Sequence, residues 1–221
     1  MNAKELIARR IAMEFNNGDV VNLGIGLPTQ VANYVPEDVH ITLQSENGFL
    51  GLTALDPDNA NPNMVNAGGQ LCGIAAGGST FDSAFSFALI RGGHVAACVL
   101  GGLEVDQEAN LANWMVPGKM VPGMGGAMDL VTGARKVIIG MEHCTKNGDS
   151  KILKKCTLPL TAQNKVNLIV TELAVFGFAD RKMVLREHAP GVDLDTIKAK
   201  TVADFVVADD FKEMVISQRD L

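Results

Sequence analysis

A chain of 221 residues, 47% hydrophobic and 20% charged, is long enough for one well-filled domain and far from the composition of a disordered segment. Its 19 Lys and Arg against 25 Asp and Glu leave a formal charge of -6 with no basic stripe, which excludes nucleic acid as an expected partner. An anionic ligand must therefore be met by loop amides, helix N-termini or a few lysines.

Charges at Lys4, Glu5, Arg9, Arg10 and Glu14 break any apolar run long enough for a signal peptide, and no stretch approaches the ~20 apolar residues of a membrane span. A soluble, cytoplasmic protein is expected. Ile7, Ile11 and Phe15 recur at helical spacing, so a first helix is expected to run to Gly18, where a left-handed cap would stop it. Residues 20–23 read as a short strand, 24–27 as a glycine loop, and 28–35 as a helix with Pro28 where its missing N–H does no harm. Further strands are expected over 39–44, 96–100, 136–139, 166–171 and 205–208, and a peripheral hairpin with a helix over 195–200 is expected after Asp180. Near-continuous apolar runs separated by crossovers predict one α/β domain over 1–221, a mostly parallel sheet with helices on both faces. Ligands would then gather at the C-terminal ends of its strands.

Cys72, Cys98, Cys144 and Cys156 lack CxxC spacing and are expected to be reduced, mostly buried thiols. His143, Cys144 and Cys156 have no recognisable zinc spacing, and no metal is expected. Paired glycines flank many of the apolar runs, as at Gly77-Gly78, Gly101-Gly102 and Gly125-Gly126, where a ligand or a second backbone could approach closely.

Gly24-Ile25-Gly26-Leu27-Pro28-Thr29 follows a strand and opens a helix, and Glu46 lies about 20 residues on, as in a dinucleotide fingerprint. The third glycine is replaced by Thr29, however, and Pro28 stands inside the motif. Glu46 also sits in Ser45-Glu46-Asn47-Gly48, a turn sequence and not a plain strand end. NAD binding is retained as an alternative. A glutamate there is ionised at neutral pH, with an unperturbed pKa of about 4.3, and its weakness as a nucleophile would have to be offset by desolvation and positioning. Otherwise it is a solvated turn residue.

The segment Leu43-Gln44-Ser45-Glu46-Asn47-Gly48-Phe49-Leu50-Gly51 resembles the signature of the β subunits of class I (3-oxoacid) CoA-transferases, glutamate included. So do Val21-Asn22-Leu23-Gly24-Ile25-Gly26-Leu27-Pro28-Thr29, Ser86-Phe87-Ala88-Leu89-Ile90-Arg91-Gly92-Gly93-His94, Ala112-Asn113-Trp114-Met115-Val116-Pro117-Gly118-Lys119 and Gly123-Met124-Gly125-Gly126-Ala127-Met128-Asp129-Leu130. The acetate/acetoacetate branch is the nearest. Ala75-Ala76-Gly77-Gly78-Ser79 departs from the Pro-containing loop of many relatives.

The resemblance implies movement of CoA between a short acyl-CoA, such as acetyl-CoA or butyryl-CoA, and acetoacetate or another short acid. The route would be ping-pong, through an acylated Glu46 and a glutamyl-CoA thioester. It implies support of the acyl site by Asn22, Gly24, Gly125 and Gly126, and contacts to CoA from Gly26 and Lys119. It also implies CoA as substrate with no permanent cofactor, and an α subunit as partner in an α2β2 heteromer. Trp114 with Pro117 reads as a packed loop anchor, and His94 as satisfying a backbone group. A non-catalytic scaffold subunit of the same fold is the third alternative.

Overall fold

The computed structural model describes residues 1–118, 121 and 123–219, with Asn59 described by its backbone alone. The first helix, α1 (Ala3–Ala12), is capped by Asn2, whose side chain accepts the Glu5 N–H at 2.9 Å. It stops at Ala12, well short of Gly18. The Asp19 carboxylate accepts the Asn16 N–H at 2.9 Å, and such local side-chain bonds compete with a continuing helix. Phe15 is buried outside the helix, and Gly18, at φ 84, makes the turn into the sheet.

Strand β1 (Val20–Leu23) leads through the glycine loop into a turn of helix over Leu27–Tyr34 with Pro28 at its start, as expected, but wound as 3-10 and not α. After β2 (Thr42–Ser45) come β3 (Phe49–Thr53) and β4 (Gly73–Thr80), then α2 (Ser83–Arg91), capped by Asp82, and β5 (Ala97–Leu100). The Ala75–Ser79 loop expected from the sequence is thus part of β4, an edge strand paired antiparallel to β3. Strands β6 (Glu104–Asp106) and β7 (Leu111–Ala112), helix α3 (Ala127–Gly133), β8 (Val137–Gly140) and β9 (Ile152–Leu153) follow. The chain closes with β10 (Leu168–Val170), β11 (Ala174–Ala179), β12 (Lys182–His188), α4 (Leu194–Lys200) and β13 (Val206–Glu213).

The large sheet has the order β13-β12-β11-β10-β8-β5-β1-β2-β3-β4. Its centre, β10-β8-β5-β1-β2, is parallel, and antiparallel hairpins extend it on both sides. Side chains alternate across it: Ala97 and Val99 pack with Ile7, Ile11 and Val31 on one face, while Cys98 and Leu100 pack with Ile90 and Leu130 on the other. Burial of both faces is why β5 and β8 are apolar at nearly every position, and it puts helices on both sides. The small sheet β7-β6-β9 was not foreseen, because strands of two or three residues have no measurable period. Among the described residues no helix is long and apolar enough to cross a membrane.

Candidate active site

Strand β2 ends at Ser45 and β3 begins at Phe49, so Glu46, Asn47 and Gly48 form a three-residue hairpin turn. Gly48 is the residue that permits it. Its φ is 134, and any Cβ there would run into the Phe81 carbonyl, while the Gly48 carbonyl accepts the Phe81 N–H at 2.8 Å. The turn is held down by a neighbouring segment and presents Glu46 beyond the C-terminal end of β2.

Glu46 is half-buried and faces an 810 Å³ cavity. Burial raises its pKa above the ordinary carboxylate value; a hydrogen bond from the Gly126 N–H opposes that rise, and the charge of Asp129 adds to it. Asp129 itself is paired with Arg91 at 2.7 Å. Gly126 is pressed so close that a Cβ would lie 2.7 Å from Glu46 Oε1. The carboxylate is therefore desolvated, oriented by one amide and approached by backbone on one side. A solvated turn residue would show none of this.

The structure brings Asn22, Gly24, Glu46, Gly125 and Gly126 onto this one cavity, at the C-terminal ends of β1, β2 and β5. Asn22 is buried, with its amide nitrogen committed to Gln44: Nδ2 donates to Oε1 at 2.6 Å and to the Gln44 carbonyl at 3.3 Å. Gln44 Nε2 in turn donates to Ser86 Oγ at 2.9 Å, so a buried polar chain ties β1, β2 and α2 together beside the Glu46 turn. The Gly24 N–H donates to the Val99 carbonyl at 2.8 Å, and a Cβ on Gly24 would press on Leu100. Gly125, at φ 53, makes the bend that delivers Gly126. Gly26 does not line the cavity; its carbonyl accepts the Thr29 hydroxyl at 2.7 Å. Lys119 lies outside the described residues.

Sequence reasoning missed Gln44 and Ser86, which are 4% and 0% exposed. Gln44, a polar residue in the strand just before the turn, was the available signal. It also missed the 65–71 hairpin that forms one wall of the cavity, described below. Trp114 anchors its loop through Nε1 to the Leu160 carbonyl at 3.3 Å, in line with the packing role read from the sequence. His94 stands exposed with its ring against Gly92 instead of holding a backbone group. His143 is buried with both ring nitrogens at 3.0 Å from threonine hydroxyls, Thr171 and Thr201. All four cysteines are free, and burial pushes the Cys98 thiol up to about 12. A ribose-binding acid would close a plain strand, whereas Glu46 stands in a forced hairpin turn, and the NAD reading lapses.

A family model described as coenzyme A transferase matches residues 4–200. Acetate CoA-transferase subunit beta of Haemophilus influenzae is 82% identical over 221 residues, covering 100% of this chain and 99% of that protein. Among solved structures, an acyl-CoA transferase from Escherichia coli superposes with a TM-score of 0.78 at 24% identity, over 97% of this chain and 43% of the other. A variant of the decarboxylase AibA/AibB superposes with a TM-score of 0.74 at 18% identity, over 96% of this chain and 89% of the other. The last two share the fold, and the fold alone therefore does not choose between transfer and decarboxylation.

Proposed function

The chain belongs to the coenzyme A transferase family, and from that membership we propose that it is the β subunit of a short-chain acyl CoA-transferase whose covalent carrier is Glu46. CoA transfer is the activity that names the family and the 82% identical relative; the acyl group and the residue roles are our reading. The observation that carries it is the Glu46 carboxylate, held on a turn that Gly48 and Phe81 force, half-buried in the cavity and touched by the Gly126 amide.

In this reading a Glu46 oxygen attacks the thioester carbonyl of an acyl-CoA, the C–S bond breaks, and the electron pair leaves on the CoA sulfur. The product is an acyl-glutamyl anhydride. The thiolate then attacks the glutamyl carbonyl, the anhydride C–O bond breaks, and the acyl group departs as a carboxylate carrying an oxygen that began on Glu46. What remains is a glutamyl-CoA thioester. An incoming carboxylate runs both steps in reverse. Each addition develops an oxyanion, and a preorganised donor at that position contributes roughly 3 kcal/mol. The Gly126 N–H is the donor best supported for this, since it already addresses the Glu46 carboxyl group. Asn22 supports the turn through Gln44, and Gly24 holds the glycine loop beside the cavity through its bond to β5. Acetate is the proposed acid by likeness to the relative, and acetoacetate by the resemblance of the sequence motifs. The proposed setting is the cytoplasm, with an α subunit completing an α2β2 assembly.

Trapping tests the reading. The complex of both chains, given acyl-CoA and no acceptor acid, should stall as the glutamyl-CoA thioester, which borohydride reduces to an alcohol. Inactivation should require acyl-CoA, map to Glu46, and be prevented by excess acetate added before the reductant. A label on Glu104 or Glu108 would keep the chemistry and move the nucleophile.

A further inference from the structure

Two polar residues flank Glu46, Ser45 on the lining of the cavity and Asn47 outside it, and both are bonded to the same distant segment. Ser45 Oγ donates to Asn47 Oδ1 at 2.6 Å and accepts the Ala67 N–H at 3.1 Å. Asn47 Nδ2 donates to the Val65 carbonyl at 2.8 Å. The segment they hold is a tight hairpin. Val65 bridges Leu71, the Asn66 N–H donates to the Gln70 carbonyl at 2.9 Å, and Asn66 Oδ1 accepts the N–H groups of Gly68 at 2.9 Å and Gln70 at 3.1 Å.

That hairpin does two things at once. Asn66, Ala67, Gly68, Gln70 and Leu71 line the cavity that Glu46 faces. Gly68 also sits against the glycine loop after β1: a Cβ on it would approach the Ile25 side chain at 3.2 Å. The hairpin therefore spans from the nucleophile turn to the first glycine loop, and its only side-chain ties to the turn, among the described residues, come from Ser45 and Asn47. Gly48 and Phe81 fix the turn from the opposite side.

We infer that Ser45 and Asn47 are positioning residues, a clasp that locks the 65–71 hairpin to the Glu46 turn and so sets the carboxylate in register with the Gly126 amide. The inference rests on the reading of Glu46 as the covalent carrier. Neither residue contacts the reacting atoms in this role; both act through Glu46 and the hairpin backbone. Geometry of this kind matters because misplacing a reacting group by about 1 Å can cost about 100-fold in rate.

The test uses the complex of both chains, with Ser45→Ala and Asn47→Ala made singly and together. Single-turnover formation of the borohydride-trappable adduct should slow about 10- to 100-fold in each, with the final amount per site unchanged. The double variant should be no slower than the worse single one, since either loss opens the same clasp. Amide exchange at Ala67 should accelerate in all three while β5 and β8 keep their protection. A merely structural role predicts the reverse: fewer competent sites, a lower Tm and a normal rate per site. Asn47 is exposed, so its variant carries the test if Ser45→Ala fails to assemble. Adduct formation within twofold of the parent rate in Asn47→Ala overturns the clasp. Absence of any Glu46 adduct in the unsubstituted complex overturns the carrier reading, and the clasp falls with it.

Discussion

At Glu46 the requirements of stability and of chemistry pull in opposite directions. Burial and the Asp129 charge favour the protonated form, so the folded state holds the proton to a higher pH than the unfolded chain does. The sign follows by linkage: ionising Glu46 weakens the fold as pH rises from the unfolded pKa through the raised folded one. Only the ionised form is nucleophilic, however, so kcat/KM for acyl-CoA should rise with pH through that same raised pKa. Glu46→Gln should therefore be inactive when fresh, with a Tm at neutral pH equal to or above the parent. Glu46→Asp keeps the charge, withdraws it by one methylene and should lose about 100-fold in turnover. Gly126→Ala should match that loss from the other side, because its Cβ would stand 2.7 Å from Glu46 Oε1 while its φ of -80 suits alanine. Steady-state kinetics across pH, paired with thermal melts, check all three; near-normal turnover in Glu46→Asp would make this carboxylate a bystander. The turn that carries Glu46 was legible in the sequence because Asn47 and Gly48 announce it, but the role of the glutamate was named by resemblance. Asn22, Gly24, Gly125 and Gly126 were named for the site by resemblance, but the amide of Asn22 is spent on Gln44, a contact between strands that no local spacing encodes.

Elements were legible where burial on both faces produced unbroken apolar runs, as in β5 and β8, and illegible where hydrogen bonds between distant residues set the structure. The 65–71 hairpin is bonded to residues about 20 positions earlier, and β4 is so rich in glycine and alanine that it reads as a loop. The helix over 3–12 ended early for a local reason, the Asp19 to Asn16 bond, that competes below the resolution of a periodicity argument. His143 shows a further element-level device. It follows β8 and joins the β10–β11 turn, through Thr171, to the end of α4, through Thr201. Burial, aided by the Lys200 charge, lowers its pKa to about 4, so the folded chain keeps it neutral where the unfolded chain would protonate it. A depressed histidine favours the fold above the unfolded value of about 6.5 and withdraws that support as pH falls towards 4. The loss amounts to about 2 kcal/mol by pH 4.5. Urea unfolding at pH 7 and pH 4.5 should show that difference in the parent and a flatter response in His143→Gln. Equal pH sensitivity in both proteins would assign the acid lability to other groups.

At the scale of the whole molecule, the lining of the cavity includes apolar side chains that stand exposed. Ile25, Leu55 and Leu71 line it and are 70%, 36% and 47% exposed, large apolar side chains that meet water at the cavity. Phe85 and Met128, on the neighbouring helices α2 and α3, add 53% and 47% exposure. Scattered exposed leucines need no explanation, but exposed apolar side chains that line one cavity mark a surface that another body covers. The proposed occupant is the α subunit, which would also exclude water from the anhydride and thioester, both of which water hydrolyses. The chain purified alone should then bind its partner but turn over acyl-CoA at less than about a hundredth of the complex's rate, because an open carboxylate lacks the positioning that a closed site supplies. Ile25→Lys and Leu71→Lys should leave the isolated chain folded, since both side chains already meet water. Each substitution should nonetheless block assembly and activity together, because a charge would be buried unpaired against the partner. Gel filtration of mixed subunits and turnover of the same fractions decide the matter. Full activity from the isolated chain, or normal assembly of both lysine variants, would show that the partner does not cover this surface.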